Sequence, residues 1–172
     1  MVYHSAFNDA AGIAACGFAI LPLVTATRGP AMLAEQGSTD IVEEALYNFR
    51  ANVLFRTYDV KGPADKTLIY LTLYISACLK RLDGVKTKSE GSKALFALAQ
   101  EHFSVPGEAN FALQGLALNS NKDEAEQLRA YWKQCREEVG LRLVERCFDK
   151  ETGAPNKWWM SYSNRKFLGK TL

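Results

Sequence analysis

Chemistry at a protein surface needs nucleophiles, acids, bases or metal ligands gathered in one place, and this sequence offers few. Its 172 residues hold four cysteines, Cys16, Cys78, Cys135 and Cys147, and two histidines, His4 and His102. No two cysteines form a Cys-x-x-Cys pair, whereas a zinc site needs clustered ligands. Cys135 and Cys147 fall in one predicted helix, where their separation spans about 18 Å, too far for a disulfide. The thiols read as small buried groups in a reducing compartment. With the histidines far apart, no Ser/His/Asp or Cys/His constellation can be drawn, and neither a Gly-x-Ser-x-Gly elbow nor a His-Glu-x-x-His pair is present. Leu168-Gly169-Lys170-Thr171 imitates the end of a phosphate-binding loop, but Asn164 stands where its first glycine belongs. No catalytic residue, cofactor or metal is expected. Only a carboxylate pair is left as an acid/base option, and nothing singles one out.

Residue types suited to contact are more prominent. The segment from Lys157 to Leu172 carries Lys157, Trp158, Trp159, Arg165, Lys166 and Lys170. Trp, Tyr and Arg dominate interface hot spots. Neighbouring side chains on a helix point about 100° apart, and on a strand they point oppositely, so Trp158 and Trp159 cannot enter one pocket together. One indole is expected to anchor this basic, aromatic tail and the other to sit at a surface. Residues 104–121 form a long connection after Pro106-Gly107, and long connections tend to be functional or disordered. Its apolar residues argue against disorder; the simpler reading packs them on the domain, and Phe111 and Leu113 are kept as candidate partner-facing residues.

The elements that must position these segments are organised around Thr67–Leu79, an uncharged run bounded by Asp65 and Lys66 before and Lys80 and Arg81 after. It covers roughly 20 Å as a helix, short of the ~20 residues of a bilayer span. Thr, Ile, Leu and Tyr also suit strands, but 64–82 is too long for one and holds no Gly or Pro beyond Pro63 at its start. A buried central helix over about 64–82 is expected, surrounded by others. Asp40 with Glu43 predicts a helix from about 39 to 55, and Asn121 with Glu124 the longest one, to about 148. A shorter helix is expected over 92–103, with His102 half-buried on it. On the longest helix, Leu128, Trp132, Cys135, Val139, Leu143 and Cys147 form an apolar stripe widened by Leu141, Val144 and Phe148, while Glu126, Lys133, Arg136, Glu137 and Arg146 read as a solvated flank. Gly140 marks a bend or a close helix crossing.

Residues 12–24 imitate the apolar core of a signal peptide but lack the basic segment that precedes one, so they are expected to stay in the mature chain. Gly12, Gly17 and Pro22 make them a poor helix, and 1–38 read as an extended segment over the core. The whole reads as one all-α domain, 1–172, of about five helices. Composition is ordinary for such a domain, and a net charge of +2 is too small to imply nucleic acid or a membrane surface. That charge is uneven: residues 150–172 hold five cationic side chains against Glu151.

Several segments resemble the subunit 3 family of the actin-related protein 2/3 complex. They are Tyr3-His4-Ser5, Leu21-Pro22-Leu23, Arg28-Gly29-Pro30-Ala31, Thr39-Asp40-Ile41-Val42 running on to Ala51-Asn52-Val53, Thr67-Leu68-Ile69-Tyr70 and Thr72-Leu73-Tyr74-Ile75-Ser76. Pro106-Gly107-Glu108, Arg129-Ala130-Tyr131, Gly140-Leu141-Arg142-Leu143 and Lys157-Trp158-Trp159 follow in the same order. Departures gather at 6–19, 32–38, 83–101 and 115–127, and 109–119 are poorer in proline than in the family. The resemblance implies an all-α, non-catalytic subunit of the cytoplasmic assembly that nucleates actin branches. Its implied partners are the actin-related protein 3 subunit, other subunits and the actin filament, with neither nucleic acid nor membrane insertion. Two other readings are a free-standing helical adaptor for amphipathic peptides and a small helical enzyme with a carboxylate site; co-purification with actin-related proteins separates them from a subunit.

Overall fold

The computed structural model describes residues 1–10, 12–119 and 121–172. Its helices are α1 (Ile41–Asn52), α2 (Pro63–Leu82), α3 (Lys88–Gln100), α4 (Lys122–Cys147) and the short α5 (Lys157–Met160). α2 lies in the middle, touching α1, α3, α4 and α5. Every residue from Thr67 to Ile75 is buried, and both threonine hydroxyls are satisfied: Thr67 donates to the Ala19 carbonyl and Thr72 to the Leu68 carbonyl, each at 2.7 Å. Each buried Leu or Ile here contributes about 1.5–3 kcal/mol relative to exposure, so packing rather than propensity holds this helix. Among the described residues, no helix is long and apolar enough to cross a membrane.

The all-α expectation is corrected by an antiparallel hairpin ahead of the helices. β1 (Ile13–Ala15) pairs with β2 (Phe18–Ile20), Ile13 opposite Ile20 and Ala15 opposite Phe18. The fold is helix-dominated and mixed. Cys16 and Gly17 make the turn, with φ of 50° and 84°; positive φ at both central residues matches the right-handed twist of two strands. Cys16 is an unusual residue there, and its backbone is held on both sides: its N–H donates to Glu124 and its carbonyl accepts from Leu118 N–H. β2 packs on α2.

Polar side chains at the helix starts set the boundaries. Asp40 accepts from Glu43 N–H, Thr87 from Glu90 N–H and Asn121 from Glu124 N–H, each satisfying a donor the helix leaves open. α3 starts at Lys88 rather than Ser92 and contains Gly91. A Cβ at Gly91 would lie 2.7 Å from the Phe148 ring, so this glycine permits a close approach and does not end a helix. α3 stops before His102, which is exposed rather than half-buried. Arg136 is a further correction. It leaves the solvated flank, is 4% exposed, lies 4.3 Å from the Tyr74 ring and 4.2 Å from the Phe103 ring, and donates to the Leu98 carbonyl. Two aromatic faces replace its water.

The first forty residues form a strap tied down by side chains of the helices. Asp65 accepts from Ser5 N–H, Lys61 N–H and the Tyr58 hydroxyl and contacts His4 Nδ1 at 2.8 Å. Asn52 accepts from Tyr3 N–H and Glu44 from Ala6 N–H. Tyr131 both accepts from Leu21 N–H and donates to its carbonyl. Arg142 donates to the Val24 carbonyl and grips Asp40, while Gln134 bonds Thr27 and Ala31. The strap's buried residues join one continuous core with those of the helices.

Candidate protein interface

The tail leaves α4 through a tight loop. Asp149 Oδ1 accepts from Glu151 N–H and Thr152 N–H, and Asn156 N–H donates to the Cys147 carbonyl. Asn156 then caps α5, its Oδ1 accepting from Trp158 N–H at 2.9 Å and Trp159 N–H at 3.4 Å. This turn separates the two indoles. Trp159 is 8% exposed and stacks on Phe49, ring centroids 5.9 Å apart, with the Arg50 guanidinium over its face at 5.4 Å. Trp158 is 75% exposed. Farther on, Phe167 is fully buried, edge-on to Tyr58. The tail is thus pinned at Trp159 and Phe167, and Lys157, Trp158, Arg165, Lys166 and Lys170 all face outward.

The 104–121 connection is placed differently. Phe111 and Leu113, candidates for a partner-facing surface, are buried in the core and leave little area to a partner. Phe111 stacks on Trp132 at 5.7 Å and meets Phe18 edge-on; Trp132 in turn stacks on Tyr70 at 3.7 Å. Arg129 fastens the start of this connection, donating to the Phe103 carbonyl and to Glu108. Ser120 lies outside the described residues. Only Leu118 of the connection's large apolar side chains is strongly exposed.

Several exposed apolar residues escaped sequence reasoning. Tyr3 and Tyr47 line a shallow depression with Arg50, Trp159 and Tyr162 beside the tail. Phe96 and Leu141 are 65% and 63% exposed and line another, between α3 and α4. Phe96 had a legible signal, because it falls off the Leu95, Leu98 and Ala99 stripe of its helix. Leu141 did not: at helical spacing it looks like part of the apolar face.

The thiols are withdrawn from the surface. All four cysteines are buried and unbridged. Burial pushes the Cys78 and Cys147 thiols up to about 12, so neither supplies a thiolate nucleophile. Among the described residues, no group of three or more His, Cys, Asp or Glu side chains can hold a metal ion.

Comparison with known proteins agrees along the full length. The family model described as the ARP2/3 complex ARPC3 (21 kDa) subunit matches residues 1–172. Actin-related protein 2/3 complex subunit 3 of Arabidopsis thaliana is 50% identical over 170 residues, covering 98% of this chain and 97% of the relative. The Dictyostelium discoideum subunit is 49% identical with both chains covered completely, and that of Schizosaccharomyces pombe 42%, covering 99% of this chain and 98% of the relative. An end-to-end match at this identity is a statement about the whole chain, and the chain belongs to the ARP2/3 complex 21 kDa subunit family.

Proposed function

We propose that this chain is a non-catalytic structural subunit of the actin-related protein 2/3 complex, working in the actin cytoskeleton of the cytoplasm as one rigid domain. It contacts the actin-related protein 3 subunit and, through the tail, the side of the mother filament, so that branch nucleation proceeds from a fixed geometry. Beyond the family match, one observation carries the tail assignment: Trp158 stands 75% exposed between anchors that hold its backbone still. An exposed indole on a backbone already capped and anchored is the pattern of an interface hot spot, since part of the ordering cost is met before binding. Arg165, Lys166 and Lys170 add positive charge that complements an acidic filament surface.

The test is reconstitution of the complex with altered tails. Arg165→Glu with Lys166→Glu should reduce branch formation more at low salt than at high salt, because screening weakens exposed pairs. Trp158→Ala should weaken tail-mediated binding by about 2 kcal/mol in a pull-down or branch-lifetime assay. Unchanged branching at low salt, with the altered subunit still co-eluting stoichiometrically with the actin-related proteins, would refute the tail assignment and leave the subunit assignment standing.

A further inference from the structure

Three of the tail cations also belong to a concave feature. Between the C-terminal half of α2 and the folded-back tail lies a cleft of about 610 Å³. Leu73, Ala77 and Leu98 give it apolar walls, and Lys80, Arg81, Arg165, Lys166 and Lys170 line it. Glu101 is the acidic side chain among the lining residues, and Arg81 engages it at 2.9 Å. The other four cations have no ion-pair partner among the described residues. The arrangement is built in. Leu168 and Gly169 take positive φ in succession, 54° and 67°, and turn the chain back beside the buried Phe167, while Leu168 N–H donates to the Phe55 carbonyl.

An adjoining cavity of about 280 Å³ shares Ala77, Leu98, Glu101 and Leu172 with the cleft and is lined by Arg136. Arg136 is buried without a carboxylate against it, and its Nε has no hydrogen-bond partner. Ser76 Oγ, on the cleft's own wall, is likewise unpartnered. Cations crowded around a recess repel one another, and a buried guanidinium donor left open has a desolvation cost that an anion would offset.

We propose that this cleft binds a polyphosphorylated small molecule, as a free inositol polyphosphate or as the same chemistry on a lipid headgroup. Phosphate groups concentrate charge and acceptor oxygens in little volume, which suits separate lysine ammoniums together with arginine forks. The cleft falls within the roughly 300–1,000 Å³ of small-molecule sites. Nucleic acid fits less well, because no aromatic side chain lines the cleft for a base to stack on. This inference goes beyond membership of the complex and does not rest on it.

Calorimetric titration of the full chain with inositol hexakisphosphate tests it, beside flotation with phosphatidylcholine vesicles with and without phosphatidylinositol bisphosphate. Saturable binding at one site per chain is expected, weakened about tenfold by Lys80→Gln and again by Lys166→Gln, and unchanged by Lys133→Gln, which lines neither the cleft nor the adjoining cavity. Binding in the soluble arm identifies a free ligand; binding confined to the bisphosphate vesicles identifies a headgroup. Lys80 lies outside the tail, so weaker binding in Lys80→Gln with normal branching separates this site from the filament contact. No binding in either arm, or equal weakening by the Lys133 variant, overturns the proposal.

Discussion

Asp40 has three tasks that the sequence shows only in part. Its spacing from Glu43 reveals the cap. Its two other contacts join distant segments: Val24 N–H donates to it at 2.8 Å, and Arg142 reaches it with two nitrogens at 2.7 Å. Arg142 also binds Glu138, whose carboxylate accepts from Thr25 and Thr27. Asp40 thus couples the strap, α1 and α4 at one carboxylate. Removing Asp40 takes one carboxylate from Arg142, which keeps Glu138 and Glu43, and leaves the Val24 N–H open at a cost of about 1–3 kcal/mol, while the lost cap adds about 1 kcal/mol. Asp40→Ala should therefore destabilise the chain by about 2–4 kcal/mol in urea unfolding. Glu126→Ala, which alters an exposed pair with Arg129, should cost under about 1 kcal/mol. Equal effects would mean that Asp40 is no more than a cap. Arg136 teaches the complementary lesson. A charged residue flanked by polar ones looks solvated, and nothing local announces that Tyr74 and Phe103 will receive it.

At the scale of elements, signals carried within a few residues were readable and those depending on a distant neighbour were not. The uncharged run at 67–79 and the pairs Asp40–Glu43 and Asn121–Glu124 place α2 and α4 to within one residue and the start of α1 to within two, while α1 ends at Asn52, three residues before the expected 55. The start of α3 was also written locally, as Thr87 with Glu90, but Gly91 looked like a break because its reason lies on Phe148. The hairpin turn uses Cys16-Gly17 in place of the common Asn-Gly, so its pairing stayed hidden although its extended character did not. Two helical glycines make the point testable. At Gly91 an added methyl meets the Phe148 ring at 2.7 Å; at Gly140 it meets Leu95 Cβ at 3.4 Å. Ala gains about 1 kcal/mol of helix propensity over Gly at either position, but overpacking costs about 1–3 kcal/mol where the neighbour cannot yield. Gly91→Ala should lower the thermal midpoint, and Gly140→Ala should leave it unchanged or raise it. The reverse order would show that Phe148 yields and that Leu95 does not.

Across the whole molecule, the strap is the part whose stability depends most on side-chain charge. It has little regular structure, yet Ser5, Ala6 and Val24 each give a backbone N–H to a carboxylate, on Asp65, Glu44 and Asp40 respectively. Burial alone would raise the Asp40 and Asp65 carboxyls. Arg142 and the N–H groups of Glu43 and Val24 outweigh it at Asp40, and the N–H groups of Ser5 and Lys61 with the side chains of Asn8 and His4 outweigh it at Asp65; both sit below their ordinary value of 3.8. A depressed carboxyl contributes stability that is fully present above the unfolded value and is lost as pH falls through the lower folded one. The strap should hold at neutral pH and loosen below about pH 4, ahead of α2, whose interior carries no titrating carboxylate between Thr67 and Leu79. Hydrogen exchange followed by mass spectrometry provides the check. At pH 7 the amides of Ser5, Ala6 and Val24 should be protected like secondary structure, and after correction for intrinsic rates that protection should fall at pH 3 while the middle of α2 stays closed. Asp65→Asn should reduce protection at Ser5 already at pH 7 and flatten its pH dependence. Simultaneous opening of strap and α2 would mean that the two form one cooperative unit, with the carboxylates guarding the core as a whole.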